Sequence, residues 1–181
     1  DLGRTIDTVS YNREFGMHRA SRNLAVSLLP TIHTNWGVED NVGASESALS
    51  RIPDIDIIWT AGTEIAMGAV QAAKFQQLIP GKDLKIGTFD WSPQALKMIQ
   101  RGELEVSYGS HFTEAGWALV LIVDYLNGID FIDDLGVKMT TQLQPLNRHN
   151  SHIYQDMITK QHWQTINFKT YSKCYNPQLQ R

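Results

Sequence analysis

A chain of 181 residues with 42% hydrophobic side chains can bury a full core, which argues against disorder. Its 16 Lys and Arg against 19 Asp and Glu leave a net charge of -3, so the composition offers no electrostatic reason to expect nucleic acid as a partner. A single cysteine, Cys174, excludes an intrachain disulfide framework and a cysteine-rich metal site, without fixing the compartment.

Apolar residues at Met17, Ala20, Leu24 and Leu28 follow helical spacing, which predicts a helix from Arg13 to Leu28 that Pro30 stops. Thr31 to Trp36 reads as a short strand, and a polar stretch holding Gly37 and Gly43 leads to a helix over Ala44 to Arg51. A strand over Ile55 to Thr60 and an alanine-rich helix from Thr63 to Leu78 come next. The strand Leu84 to Phe89 precedes a helix that Ser92 and Pro93 open and Gly102 closes, and Leu104 to Tyr108 is one more strand. Strands alternating with helices of this length form βαβ units, which require a parallel sheet covered by helices. The expected class is therefore α/β, with neither internal repeats nor low-complexity segments.

Beyond Thr113 the rhythm changes to a long helix ending at Asn127-Gly128, a loop rich in Asp and Ile, a strand-like Met139 to Leu146, a helix near Ser151 to Gln161 and an aromatic tail with Trp163, Phe168, Tyr171 and Tyr175. The apolar run Ala115 to Leu126 is too short to span a bilayer and carries Asp124, so direct membrane insertion is not expected. Asp1-Leu2-Gly3-Arg4 resembles neither a signal peptide nor a transit peptide.

In open parallel sheets ligands sit beyond the carboxyl ends of the strands. Those ends carry Ala61-Gly62-Thr63-Glu64, Phe89-Asp90-Trp91 and Gly109-Ser110-His111. A carboxylate, hydroxyls and large aromatics together suit a polyhydroxylated small molecule, because Asp90 can accept from hydroxyls while a ring covers the apolar C–H face. An equally good reading has Asp90 capping the next helix and Trp91 packing in the core. Trp36, with Asn35 and Asp40 close by, either lines the same crevice or packs at its rim, and Glu64 complements the dipole of its helix.

The segment Pro53 to Val70 (PDIDIIWTAGTEIAMGAV), the segment Ile86 to Leu104 (IGTFDWSPQALKMIQRGEL) and Gly116 in the following helix together resemble the type I periplasmic solute-binding proteins, such as the ribose-binding and autoinducer-2-binding proteins. The resemblance covers Ile52 to Gly128 best. It implies a Rossmann-like lobe of a two-lobed protein of about 300 residues, of which this chain is about half. Residues 1–110 would form most of the C-terminal, ligand-binding lobe, 111–135 a return helix belonging to the N-terminal lobe, and 136–181 a final hinge-crossing strand, helix and tail. Asp90 then matches a sugar-hydroxyl acceptor, Phe89 a position that is aromatic in the autoinducer-2 type, and Arg13 a pocket arginine whose planar fork suits paired oxygens. Gly62 stands where sugar binders place Asn, Thr63 where they place Asp, and Ser110 where they place a hinge Gln. With Trp91, these seven residues are the expected ligand contacts. The autoinducer-2 type matches Thr63 but has Arg where Ser110 stands, which disfavours autoinducer-2 itself.

Other chemistries fit less well. His149 and His152 at i, i+3, with His162 further on, lack acidic or cysteine partners at useful spacing for a metal. A nucleophile elbow is absent, Ser110 and His111 are strand neighbours that point apart, and Gly37 to Gly43 lacks the pattern of a phosphate loop. The expectation is a non-enzymatic periplasmic protein, free of cofactor, that closes on a sugar-like ligand and presents it to an ABC permease or a membrane sensor histidine kinase. The effector core of a LacI-type transcription regulator is the alternative, since it shares the fold.

Overall fold

The computed structural model describes residues 7–179, the side chain of Trp163 excepted; residues 1–4, considered above for leader character, lie outside the described residues. Asp7 opens α1 (Thr8–Ser21), its carboxylate accepting from the Val9 N–H at 2.8 Å and satisfying a free donor of the first turn. The helix therefore starts at Thr8 rather than Arg13, and it ends at Ser21 rather than Leu28. Local bonding explains the early end: the Ser21 hydroxyl donates to the His18 carbonyl, the Leu24 N–H to Ser21 and the Val26 N–H to Leu24. Leu24 and Leu28 consequently lie exposed beyond the helix.

Thr31 to Trp36 does not form the expected strand; only His33 makes a bridge. The fully buried Asn41 competes for this segment, donating its amide to the carbonyls of Asn35 and Gly37 at 2.8 and 2.6 Å while accepting from the Thr34 hydroxyl. The backbone groups thus find a side chain instead of a ladder. Asn41 belongs to α2 (Val38–Arg51), which begins ahead of the expected Ala44 with Glu39 and Asp40 in its first turn, where they complement the dipole.

From here the order follows the periodicity: β1 (Ile57–Trp59), α3 (Thr63–Phe75), β2 (Lys85–Phe89), α4 (Pro93–Arg101) and β3 (Val106–Gly109). The Ser92 hydroxyl accepts from the Ala95 N–H at 3.0 Å, Pro93 occupies the first turn and Gly102 ends α4 in the left-handed region at φ 75°. Replacing Ser92 by Ala should lower stability by about 1 kcal/mol, read as a lower urea midpoint at unchanged m-value; an unmoved midpoint would mean that the cap contributes nothing.

The chain continues through α5 (Glu114–Leu126), α6 (Ile132–Leu135), β4 (Gln144–Asn147) and α7 (Ser151–Thr159). The sheet order is β1-β2-β3-β4, the first three strands parallel and β4 antiparallel to β3. On one face Ile86, Leu96, Ile99, Leu104, Leu146 and Ile158 are fully or almost fully buried among the alanines of α3. Strand alternation sends Trp59, Phe89 and Tyr108 to the other face. This is the α/β lobe that the alternation of elements predicts.

The tail does not trail away. Its turn Phe168–Tyr171 packs on α5, with the rings of Phe168 and Tyr171 each 4.9 Å from Trp117 and nearly perpendicular to it. Gly116 makes this approach possible, because a Cβ there would lie 2.3 Å from the Phe168 ring. Asp124, fully buried on α5, accepts from the Ser172 hydroxyl and from the N–H groups of Lys173 and Cys174 at 2.9 and 3.0 Å.

Candidate functional site

The carboxyl ends of β1, β2 and β3 lie side by side, and the loops leaving them bring together most of the residues expected to contact a ligand. Asp90 follows β2 with φ 76°, a left-handed conformation that Asp tolerates better than most residues. Three bonds hold it there: its N–H donates to the Tyr108 carbonyl at 2.8 Å, and its own carbonyl accepts from the Ser107 hydroxyl at 2.6 Å and the Thr63 hydroxyl at 3.2 Å. An unusual backbone kept in place by its neighbours is a common property of functional positions.

Arg13 of α1 reaches this carboxylate with both terminal nitrogens, Nη2 to Oδ1 at 3.2 Å and Nη1 to Oδ2 at 3.4 Å, and Nη1 also donates to the Ala61 carbonyl. Its guanidinium carbon lies 4.6 Å from the centre of the Phe89 ring, a cation–π contact. Phe89 in turn meets Trp59 edge-on at 5.4 Å and Tyr108 at 6.3 Å. From the β3 side His111 brings Nε2 to 3.4 Å from Asp90 Oδ1. Arg13 is 16% exposed and Asp90 37%, so a largely covered cation supports a carboxylate that solvent can reach.

Gly62 is buried beside Asp90, and a Cβ there would stand 2.9 Å from the Trp36 ring and 3.6 Å from Asp90 Oδ2. Trp36, whose indole N–H donates to Asp7 at 3.1 Å, thus occupies the room that a side chain at position 62 would need. Thr63 is buried too, its hydroxyl within reach of the Phe89 and Asp90 carbonyls, so it positions Asp90. Trp91 packs with Tyr154 at 4.6 Å against the core, and its N–H lies 3.1 Å from both the Ser107 and Gln144 carbonyls. That geometry is the core packing weighed against ligand contact. Ser110, at φ 84° and partly exposed, begins the exit from β3.

Sequence reading missed three members of the cluster, Trp59, Tyr108 and His111. The first two belong to the strands, and only the pairing of Phe89 with Tyr108 and the alternation through β1 bring their rings to the Asp90 side. His111 is among the strand-end residues, but its sequence neighbour Ser110 is the partner that local pattern offers it.

In this cluster the carboxylate can accept from hydroxyls, the flanking arginine and histidine can donate to hydroxyl oxygens, and the aromatic rings alongside can cover an apolar ring face. Among the described residues no three His, Cys, Asp or Glu side chains gather as a metal group, and no helix is long and apolar enough to cross a membrane.

Residues 3–130 match the family model of the periplasmic binding protein domain. Among solved structures, a periplasmic sugar-binding protein from Pseudomonas fluorescens is 28% identical at a TM-score of 0.89, the match covering 99% of this chain and 54% of that one. The periplasmic binding component of the arabinose ABC transporter from Shewanella sp. ANA-3, bound to L-arabinofuranose, is 21% identical at a TM-score of 0.78, covering 90% and 54%. A galactofuranose-binding protein is 19% identical at a TM-score of 0.75, covering 88% and 54%; these last two likenesses are of fold. The chain spans about half the length of the structures that it matches. With the sheet and the sequence match in agreement, the chain belongs to the periplasmic binding protein domain family.

Proposed function

We propose that this protein binds a sugar or a sugar-like polyol in the periplasm, between two lobes that close about a hinge, with Asp90 accepting ligand hydroxyls, Arg13 donating to ligand oxygens and Phe89 covering the apolar ring face. The observation that carries the reading is the Asp90 carboxylate, held in a left-handed backbone by three bonds and presented beside Arg13 and the Phe89 ring. The Pseudomonas fluorescens relative is described as a sugar-binding protein, which supports the ligand class. Gly62 and Ser110 border the site as backbone and small-residue walls, while Thr63 and Trp91 support it from behind. In this reading residues 1–110 make most of the ligand-binding lobe, 111–135 a helical piece of the other lobe, and 136–181 the last crossing and the tail.

Delivery to an ABC permease is the favoured consequence of closure, since the arabinose neighbour is described as the binding component of such a transporter. A membrane sensor histidine kinase is the second reader, favoured by the tail docked on α5, which adds surface to that helix. The test is a thermal-shift screen of the intact protein against L-arabinose, D-ribose, D-galactose, D-allose and myo-inositol, beside amino acids and nucleotides. A ligand at a hundred times its Kd should stabilise by about 2.7 kcal/mol. A shift with an amino acid or nucleotide, and with no sugar or polyol, would overturn the reading.

A further inference from the structure

The polar atoms around Asp90 divide into two groups. The hydroxyls of Thr63 and Ser107 and the indole N–H of Trp91 all lie against backbone carbonyls and serve the scaffold. His111 differs. Its Nε2 faces Asp90 Oδ1 at 3.4 Å, its Nδ1 is buried without a hydrogen-bond partner among the described residues, and the side chain is 37% exposed. In the tautomer that carries hydrogen on Nε2, the ring turns that N–H toward the carboxylate. The scaffold therefore holds an N–H donor beside a solvent-accessible carboxylate.

Arg13 approaches the same carboxylate from α1, so the two donors reach Asp90 from different chain elements, with Oδ1 shared between Arg13 Nη2 and His111 Nε2. A hydroxyl is both donor and acceptor. Two hydroxyls on neighbouring ring carbons could each donate to Asp90, one accepting from Arg13 and the other from His111. We infer that His111 is a specificity-determining residue that, with Arg13 and Asp90, reads a vicinal diol of the ligand. This rests on the proposed sugar-binding function and names which part of the sugar is read. A site that hydrogen-bonds a particular hydroxyl rejects the analogue lacking it, because its own polar groups are then left unpaired.

The test is titration calorimetry of the intact protein with D-ribose, L-arabinose, D-galactose, D-allose and myo-inositol, followed by the monodeoxy analogues of whichever binds, on the native protein and on His111→Leu and His111→Gln. One monodeoxy analogue should bind the native protein about tenfold more weakly than its parent. His111→Leu should weaken the parent sugar about tenfold and leave that analogue unchanged, while His111→Gln, which keeps an N–H donor, should restore most of the parent's affinity. If His111→Leu does not fold, a deoxy penalty smaller in His111→Gln than in the native protein supports the inference, and an equal penalty overturns it. Unaltered affinity for the parent in His111→Leu overturns the role of His111 while the sugar-binding function stands. Absence of binding by every sugar and polyol to the native protein overturns that function and this inference together.

Discussion

Asp90→Ala should abolish the ligand-induced rise in melting temperature of the intact protein. The carboxylate is the acceptor that Arg13 and His111 both face, and a sugar loses at least two charge-assisted bonds with it. At about 1.5 kcal/mol each, the loss is about 3 kcal/mol, or roughly a hundredfold in Kd. Alanine also fits φ 76° less well than Asp, so the unliganded variant should melt lower than the native protein. Asp90→Asn separates the two effects. Asparagine tolerates the left-handed region and keeps the shape of the side chain, yet it has no negative charge and puts an NH2 donor where Asp90 has its second acceptor oxygen, so the charge-assisted bonds to ligand hydroxyls are lost. The expected result for Asn is a near-native unliganded melting temperature and a thermal shift that is lost or sharply reduced. A full shift in both variants would remove Asp90 from the site.

The second large effect is expected at Asp124. Its buried carboxylate holds the tail through the Ser172 hydroxyl and the Lys173 and Cys174 N–H groups. With Asp124→Ala these donors lose their acceptor, at about 2 kcal/mol for the set if part of it is rehydrated. The tail can reach water by undocking from α5, so the loss should appear as local opening rather than global unfolding. A 2 kcal/mol change raises the open population about thirtyfold, and cleavage in the fast-opening regime follows that population. Limited trypsin digestion should therefore cut after Lys169 and Lys173 about thirtyfold faster in Asp124→Ala while the rest of the chain resists. Equal cutting rates would show that the Trp117, Phe168 and Tyr171 rings hold the tail without the carboxylate.

These two carboxylates differ in how far their roles can be read from sequence. Asp90 lies at the end of a five-residue strand and just before a well-capped helix, both signalled by local pattern, so its place at the sheet edge follows directly. Asp124 sits within a strongly apolar run, and its partners are about fifty residues away in a tail with no periodicity of its own. No local pattern announces such a contact. The same distinction explains the errors near the start of the chain. Helical spacing of Met17, Ala20, Leu24 and Leu28 is real, yet the Ser21 hydroxyl and the turns after it override it, and Asn41 draws the carbonyls of Asn35 and Gly37 out of a ladder.

The acidic and aromatic residues at the strand ends are legible in the sequence as candidates, because ligands of open parallel sheets sit beyond those ends. Family resemblance added Arg13, which spacing alone could not connect to Asp90 across 77 positions of chain. The roles of Thr63 and Trp91 were not legible, because whether a polar atom meets a ligand or a backbone carbonyl depends on strand pairing and on the antiparallel β4. Gly62 shows the limit most clearly. Its missing side chain matters because Trp36, from a segment expected to be a strand, fills the room beside it.

A sugar or polyol held against Asp90 should be seen by isothermal titration of the intact protein with the sugar that gives the largest thermal shift, beside the same titration of Asp90→Asn. The native form should bind one ligand per protein saturably, and the variant should bind it with at least a tenfold weaker Kd. Equal affinity in the two proteins, or no heat of binding with any sugar or polyol, would contradict sugar binding against Asp90.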